Sequence, residues 1–213
     1  MHVSLTFSSG LCQNMIRRSA LLNCGMRISV YAVAHNASFS PTSGGVMNEA
    51  IHIIKKRRSE RKFESRPVSE EIIRDILDCA RLAPTANNLQ PWLFGAITEP
   101  HLKSQLADLA DYGKFIKDCA VCFAVFADST KKYFLEDGCA ATENILLACT
   151  AHGIGSCWVA GHKKDYAEDV RKLLNVLEPF TLISLIAAGY SDKSLSPKKK
   201  SLAEVTFLNR MSL

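Results

Sequence analysis

Residues 1 to 46 contain no acidic side chain. Arg17, Arg18 and Arg27 therefore place +3 of the net charge of +5 in that stretch, and the body from Met47 onward carries only +2. A body so near neutrality is not a polyanion-binding domain by bulk charge. No run of about 18 uncharged apolar residues occurs, which excludes a membrane-spanning helix. No G-x-G-x-x-G follows a strand, and no G-x-x-x-x-G-K-S/T is present; Gly153-Ile154-Gly155-Ser156-Cys157-Trp158 lacks the third glycine. There is no G-x-S-x-G elbow and no H-E-x-x-H. His2, His35, His52, His101, His152 and His162 do not cluster, and nothing points to a Ser–His or Cys–His nucleophile.

Cysteine is plentiful by contrast, at eight residues, but most lie in apolar surroundings and read as small buried hydrophobes. Cys119 and Cys122 form a C-x-x-C inside an apolar run that reads as a buried strand. In a strand the two side chains point to opposite faces, and no second pair at zinc spacing accompanies them. No metal site is expected. This cysteine usage fits a reducing compartment, so the expected location is cytoplasmic. Residues 1 to 46 are Ser-rich and Arg-dotted and close on Pro41-Thr42-Ser43-Gly44-Gly45. They resemble an organelle transit peptide, with import as the consequence, or else an upstream extension ahead of a start at Met47. The remainder, 47% hydrophobic and 22% charged over the whole chain, has the apolar content for one core, and one domain is expected over residues 47–213.

The stretch Pro84-Thr85-Ala86-Asn87-Asn88-Leu89-Gln90-Pro91-Trp92 organises that domain. Prolines bracket it, so no helix runs through, and its three amides both donate and accept hydrogen bonds. Upstream, Ser69 with Glu70 and Glu71 predicts a helix start, and the apolar spacing from Ile72 to Leu82 predicts the helix that Pro84 stops. Downstream, residues 92–97 read as a strand. A polar loop between a helix and a strand is a common place for a ligand. Further helices are expected from Met47 to Arg58, over residues 99–110, over a nearly all-apolar central stretch at 135–152, and over 166–174. Strands are expected at 119–127, 156–159 and 180–190, and an amphipathic tail at 202–213.

Arg57, Ser59 and Arg61 alternate, so in an extended segment they share one side. Two guanidinium forks and a hydroxyl there suit a phosphate monoester. Lys198, Lys199 and Lys200 form a second basic station that either closes over the same phosphate or is a solvated run.

Arg57-Arg58-Ser59-x-Arg61-x-Phe63, then Pro84 to Trp92, then Gly153 to Gly161, then the late lysines resemble the FMN-dependent nitroreductase family over about residues 47 to 210. The resemblance implies an α+β fold, with a mostly antiparallel central sheet wrapped by helices, in an intertwined homodimer with an FMN site at each subunit interface. It implies that Arg57, Arg58, Ser59 and Arg61 hold FMN, with Arg57 and Ser59 at the phosphate and ribityl end and Arg61 at the pyrimidine edge. Pro84, Thr85, Ala86 and Asn88 would come from the partner subunit, with Gln90 nearby. Ala160 and Gly161 would lie against the ring near N5, and one or two of Lys198, Lys199 and Lys200 would return to the phosphate. Many relatives have glutamate where this chain has Ala160, and an arginine in the late segment. This chain is also short between Ala127 and Glu136, where larger relatives insert helices.

The implied activity is a ping-pong cycle in which NADH or NADPH gives hydride to flavin N5 and an electron-poor acceptor, a nitroaromatic, quinone or similar, then takes its place. No side chain is catalytic in that scheme, because the flavin carries the chemistry. A cation at about 4 Å from the reduced ring is worth roughly 4 kcal/mol of gross attraction at an effective dielectric near 20, so Arg61 would raise the reduction potential. Phe63, Tyr112, Phe115 and Phe134 are candidates to line the acceptor site or to pack the core. Two other readings are a flavin-binding storage or sensing protein without turnover, and a basic nucleic-acid-binding module, against which the near-neutral body argues.

Overall fold

In the computed structural model, which describes residues 48–192 and 197–210, four strands form one sheet between two layers of helix. The strands are β1 (Trp92–Ile97), β2 (Val121–Asp128), β3 (Gly155–Ala160) and β4 (Phe180–Gly189), in the order β1-β2-β4-β3. Every pairing is antiparallel. The helices are α1 (Glu49–Lys56), α2 (Glu70–Arg81), α3 (Pro100–Leu109), α4 (Phe134–Ala151), α5 (Ala167–Leu173) and α6 (Leu202–Val205). This is the expected α+β arrangement with an antiparallel sheet. The extension expected over residues 1–46 lies outside the described residues. Among the described residues no helix is long and apolar enough to cross a membrane.

The two faces of the sheet carry separate cores, because strand side chains alternate. Val121, Phe123, Val125 and Ala127 face α2 and α4, where Ile76, Ala80, Ile145 and Cys149 meet them. Cys122, Ala124 and Phe126 face the other layer, where Leu106 and Ala107 of α3 and Val170 of α5 close over them. β2 is buried along nearly its whole length, as a strand covered on both faces must be. Ser69 caps α2 by accepting from the Ile72 amide, with Glu70 and Glu71 in the first turn.

Cys119 corrects one expectation. It lies before β2, at the end of a short 3-10 turn, Lys114–Asp118. The strand alternation therefore does not reach it, and both Cys119 and Cys122 lie in the α3/α5 core. Burial pushes the Cys119 thiol up to about 11 and raises that of Cys122. Of the tail expected over 202–213, only Leu202–Val205 is helical among the described residues, capped by Ser201 and Glu204.

A bulge interrupts β4. Val125 pairs with Ser184 and Phe126 with Leu182, so Ile183 is the extra residue. Its carbonyl accepts from both the Gly161 and His162 amides, at 3.2 and 3.1 Å, which ties the turn after β3 to the sheet. Beside it, Ser184 shares a 2.8 Å hydrogen bond with Thr142 of α4.

Candidate functional site

The basic segment is seated by two glycines. Gly155 and Gly189 are register partners at the end of the β3–β4 ladder. A β-carbon on Gly155 would stand 2.9 Å from the Cβ and Cγ of Glu60, and one on Gly189 would stand 3.1 Å from the Phe63 ring. The segment therefore lies directly on strand backbone. Ser59 bridges to Ser156 in parallel, Glu60 donates its amide to the Ser156 carbonyl at 2.9 Å, and Glu64 donates to Tyr190 at 2.9 Å. Glu60 is buried by this packing. Ser59, Arg61 and Arg57 all influence the Cys157 thiol electrostatically. Burial raises its pKa, while the charge of Arg61, a hydrogen bond from Ser59 and the charge of Arg57 oppose the rise. Of the three, Arg61 lines the cleft described below, whereas Arg57 pairs with Glu143 of α4.

The second wall is the turn after β3. The double acceptance by Ile183 holds Gly161, and a β-carbon on Gly161 would stand 2.7 Å from Leu182 Cγ, so the turn presses against β4. The Tyr166 hydroxyl donates to the Ala160 carbonyl, and Lys164 donates its amide to Gly161 at 3.1 Å. Burial, and then the charge of Asp111, raise the Tyr166 pKa.

Between the segment and the turn lies a cleft of about 390 Å³, bounded by Arg61, Phe115, Trp158, Ala160, Lys164 and Tyr166, with Tyr112 and Cys157 also reaching it. Arg61 lies over the Phe115 ring at 5.9 Å. Of the four aromatic candidates, Tyr112 and Phe115 reach the cleft. Phe63 packs with the α3/α5 core, and Phe134 packs with the α4 side and edge-on to His162.

The remaining expected residues sit elsewhere in the protomer. Pro84, Thr85, Ala86, Asn88 and Gln90 do not line the cleft. Their loop is held at the start of α4, where buried Asp137 accepts from the Ala86 amide at 3.2 Å. Gln90 donates its amide to Thr85 Oγ1. Asn87, Asn88 and Gln90 all have positive φ, at 52°, 55° and 49°, a conformation asparagine tolerates better than most residues. Arg57 pairs with Glu143 of α4 at 3.5 Å, and the Arg58 guanidinium turns back onto the Lys55 and Arg57 carbonyls. Lys198, Lys199 and Lys200 are exposed and outside any helix or strand.

Sequence reasoning did not pick out Cys157, Trp158, Lys164 and Tyr166 as cleft residues, nor Asp137 as the clamp on the polar loop. The signal for Asp137 was partial: Glu136 and Asp137 both stand in the first turn of α4, where acids suit the helix dipole, and nothing in the sequence chose between them. Lys164 gave none beyond being one of two adjacent lysines.

The cleft can accept a planar aromatic ring with an electron-rich edge. It offers aromatic walls, an arginine with no carboxylate partner among the described residues, and the exposed end of β3 at Ala160. FMN's isoalloxazine has these features, so the residues present fit it.

The family model described as the nitroreductase family matches residues 54–113 and 111–190. A protein of Archaeoglobus fulgidus, provisionally named an NADH dehydrogenase/NAD(P)H nitroreductase, is 34% identical over 150 residues, covering 68% of this chain and 86% of its own. The crystal structure of a protein of the same provisional name from Bacteroides thetaiotaomicron superimposes with a TM-score of 0.74 at 28% identity, over 78% of this chain and 100% of that one. An FMN-dependent nitroreductase from Clostridium difficile gives a TM-score of 0.70 at 26% identity, over 76% and 99%.

Proposed function

Because the chain belongs to the nitroreductase family, we propose that it is an FMN-dependent enzyme that passes hydride from NADH or NADPH through the flavin to an electron-poor acceptor such as a nitroaromatic or quinone. The observation that carries this reading is the cleft that joins Arg61 to Ala160, two residues 99 positions apart in sequence. The FMN dependence printed for the Clostridium difficile structure supports it. FMN, when bound, supplies the hydride chemistry, and the protein supplies binding, orientation and electrostatics.

In this reading Arg57 and Ser59 hold the phosphate and ribityl end, with Arg58 beside them. Arg61 meets the pyrimidine edge, where it favours the negative charge of the reduced ring. Ala160 and Gly161 lie under the ring, and Lys198, Lys199 or Lys200 adds charge at the phosphate. The aromatic walls exclude water from the reacting face.

The polar loop is assigned to a second copy of the chain. Pro84 and Asn88 are exposed in one protomer, away from its own cleft, and so can serve a neighbour's, with Gln90 exposed beside them and its side-chain amide donating to the Asn88 carbonyl. Large apolar surface supports the homodimer: Ile51 and Ile54 of α1, and Leu202, Val205, Phe207 and Leu208 of the tail, are all exposed. The flavin domain is assigned to residues 47–213. A cytoplasmic setting is proposed from the use of Cys119, Cys122 and Cys149 as buried free thiols.

The test is direct. Purified protein should be yellow or become so with FMN, should sediment as a dimer, and should be bleached anaerobically by NADH or NADPH and recoloured by a quinone. A folded monomer with no affinity for FMN would refute the assignment.

A further inference from the structure

Lys164 is a half-buried cation at the cleft with no carboxylate partner among the described residues. Its ammonium lies over the face of Tyr112, at 5.9 Å from the ring centroid. A cation–π contact at that distance is weak compensation for the water that partial burial removes. Asp111, close enough to raise the Tyr166 pKa, makes no ion pair with Lys164, and among the described residues no carboxylate lines the cleft. Among the described residues the ionised side chains on its walls are therefore both positive: Arg61 and Lys164.

The backbone beneath Lys164 is fixed rather than loose. The Gly161–Lys164 turn closes on its own hydrogen bond, hangs from the Ile183 carbonyl, and is tied again where Tyr166 donates to Ala160. Lys163 takes the left-handed conformation at φ 60° to make the turn, so the preceding residue absorbs the strain and Lys164 is carried to the cleft. Tyr112, which is 83% exposed, comes from the connection between α3 and β2 and meets Lys164 across the opening. An exposed aromatic beside an unpaired cation forms a receptor for a flat ring bearing a negative group.

We propose that the acceptor this cleft takes is a planar aromatic compound carrying an anionic group, of carboxylate type, received by Lys164 with Tyr112 against the ring. The inference rests on the flavin reading, in which Arg61 is engaged by the cofactor and Lys164 is the cation left for substrate. It names a substrate class and a specificity-determining residue.

The experiment uses FMN-loaded protein and two pairs of probes that differ in one charge. Benzoate and benzyl alcohol are not reduced, and their binding is measured by calorimetry. 4-Nitrobenzoate and 4-nitrobenzyl alcohol are compared as acceptors. Reduction of either nitro group to nitroso consumes the hydride of NADH and one proton from solvent, and releases one water. Wild-type protein should bind benzoate more tightly than benzyl alcohol. Lys164→Gln should weaken benzoate binding and raise the KM for 4-nitrobenzoate by about tenfold, with the alcohols little affected, and Lys164→Arg should restore most of the loss. Equal affinity of wild-type protein for benzoate and benzyl alcohol would overturn the inference without any variant. So would an equal effect of Lys164→Gln on the charged and neutral probes. Failure to bind FMN at all is a separate outcome, in which the flavin reading falls and takes this inference with it.

Discussion

Glu60 occupies the space that a side chain at Gly155 would need. Its Cβ and Cγ lie 2.9 Å from where the β-carbon of residue 155 would stand, while its amide donates to the Ser156 carbonyl. This contact seats the Arg57–Arg61 segment on the sheet, and it makes one glycine in β3 responsible for the placement of cations far away in sequence.

Gly155→Ala should therefore act at a distance. The added carbon meets the base of the Glu60 side chain, not its flexible end, so the segment must lift or the strand must shift. The expected cost is about 1–3 kcal/mol of stability, together with weakened FMN binding. Thermal unfolding and a fluorescence titration with FMN measure the two, and full retention of both would show that the segment is not anchored this way.

Asp137 is predicted to hold the polar loop in shape. Asp137→Ala leaves the Ala86 amide without its acceptor in a part-buried site, at a cost of about 1–3 kcal/mol. Asp137→Asn keeps an acceptor oxygen and should lose less. Because the loop is assigned to the partner's flavin, both variants should also lose FMN affinity in that order, and an equilibrium titration checks the ranking.

Arg57→Ala should weaken FMN binding by about 1.5–3 kcal/mol, the value of one charged hydrogen bond. Its pairing with Glu143 at 3.5 Å is half-exposed and adds little to stability, so the melting temperature without FMN should scarcely move. Unchanged FMN affinity would remove Arg57 from the site.

Truncation after Ser201 should shift the protein from dimer toward monomer in sedimentation, because it removes Leu202, Val205, Phe207 and Leu208, all exposed on the single protomer. FMN occupancy should fall with it, since each site is assigned residues from two chains. A truncated protein that remains a dimer would place the interface elsewhere.

Stability should fall on the alkaline side. Burial raises the Cys119 thiol from 9.0 to about 11, so its contribution is fully present below pH 9 and is lost as pH climbs through the folded value. The loss from this group is on the order of 2–3 kcal/mol. Cys149, pushed to about 12, extends the decline. Urea unfolding midpoints measured from about pH 8 to about pH 11 should drop, and Cys119→Ala should flatten the drop.

Much of this molecule was legible locally. Ser69 announces α2, because a cap hydrogen bond spans only three residues. The uninterrupted apolar run of β2 announces a strand covered on both faces, and the prolines around the polar loop announce its ends. Cys119 was misread for a related reason: strand alternation was applied two residues before the strand begins.

By itself the order of residues determined which segments become helix and strand, because capping, periodicity and alternation act over a few neighbours. Only the tertiary structure decided that Arg61 faces Ala160 across a cleft, that Asp137 clamps Ala86, and that Lys164 stands opposite Tyr112 without a counter-charge among the described residues. Those meetings depend on strand order, on the bulge at Ile183 and on two glycines that let backbones touch. Such contacts join residues dozens of positions apart, and no periodicity in the chain encodes them.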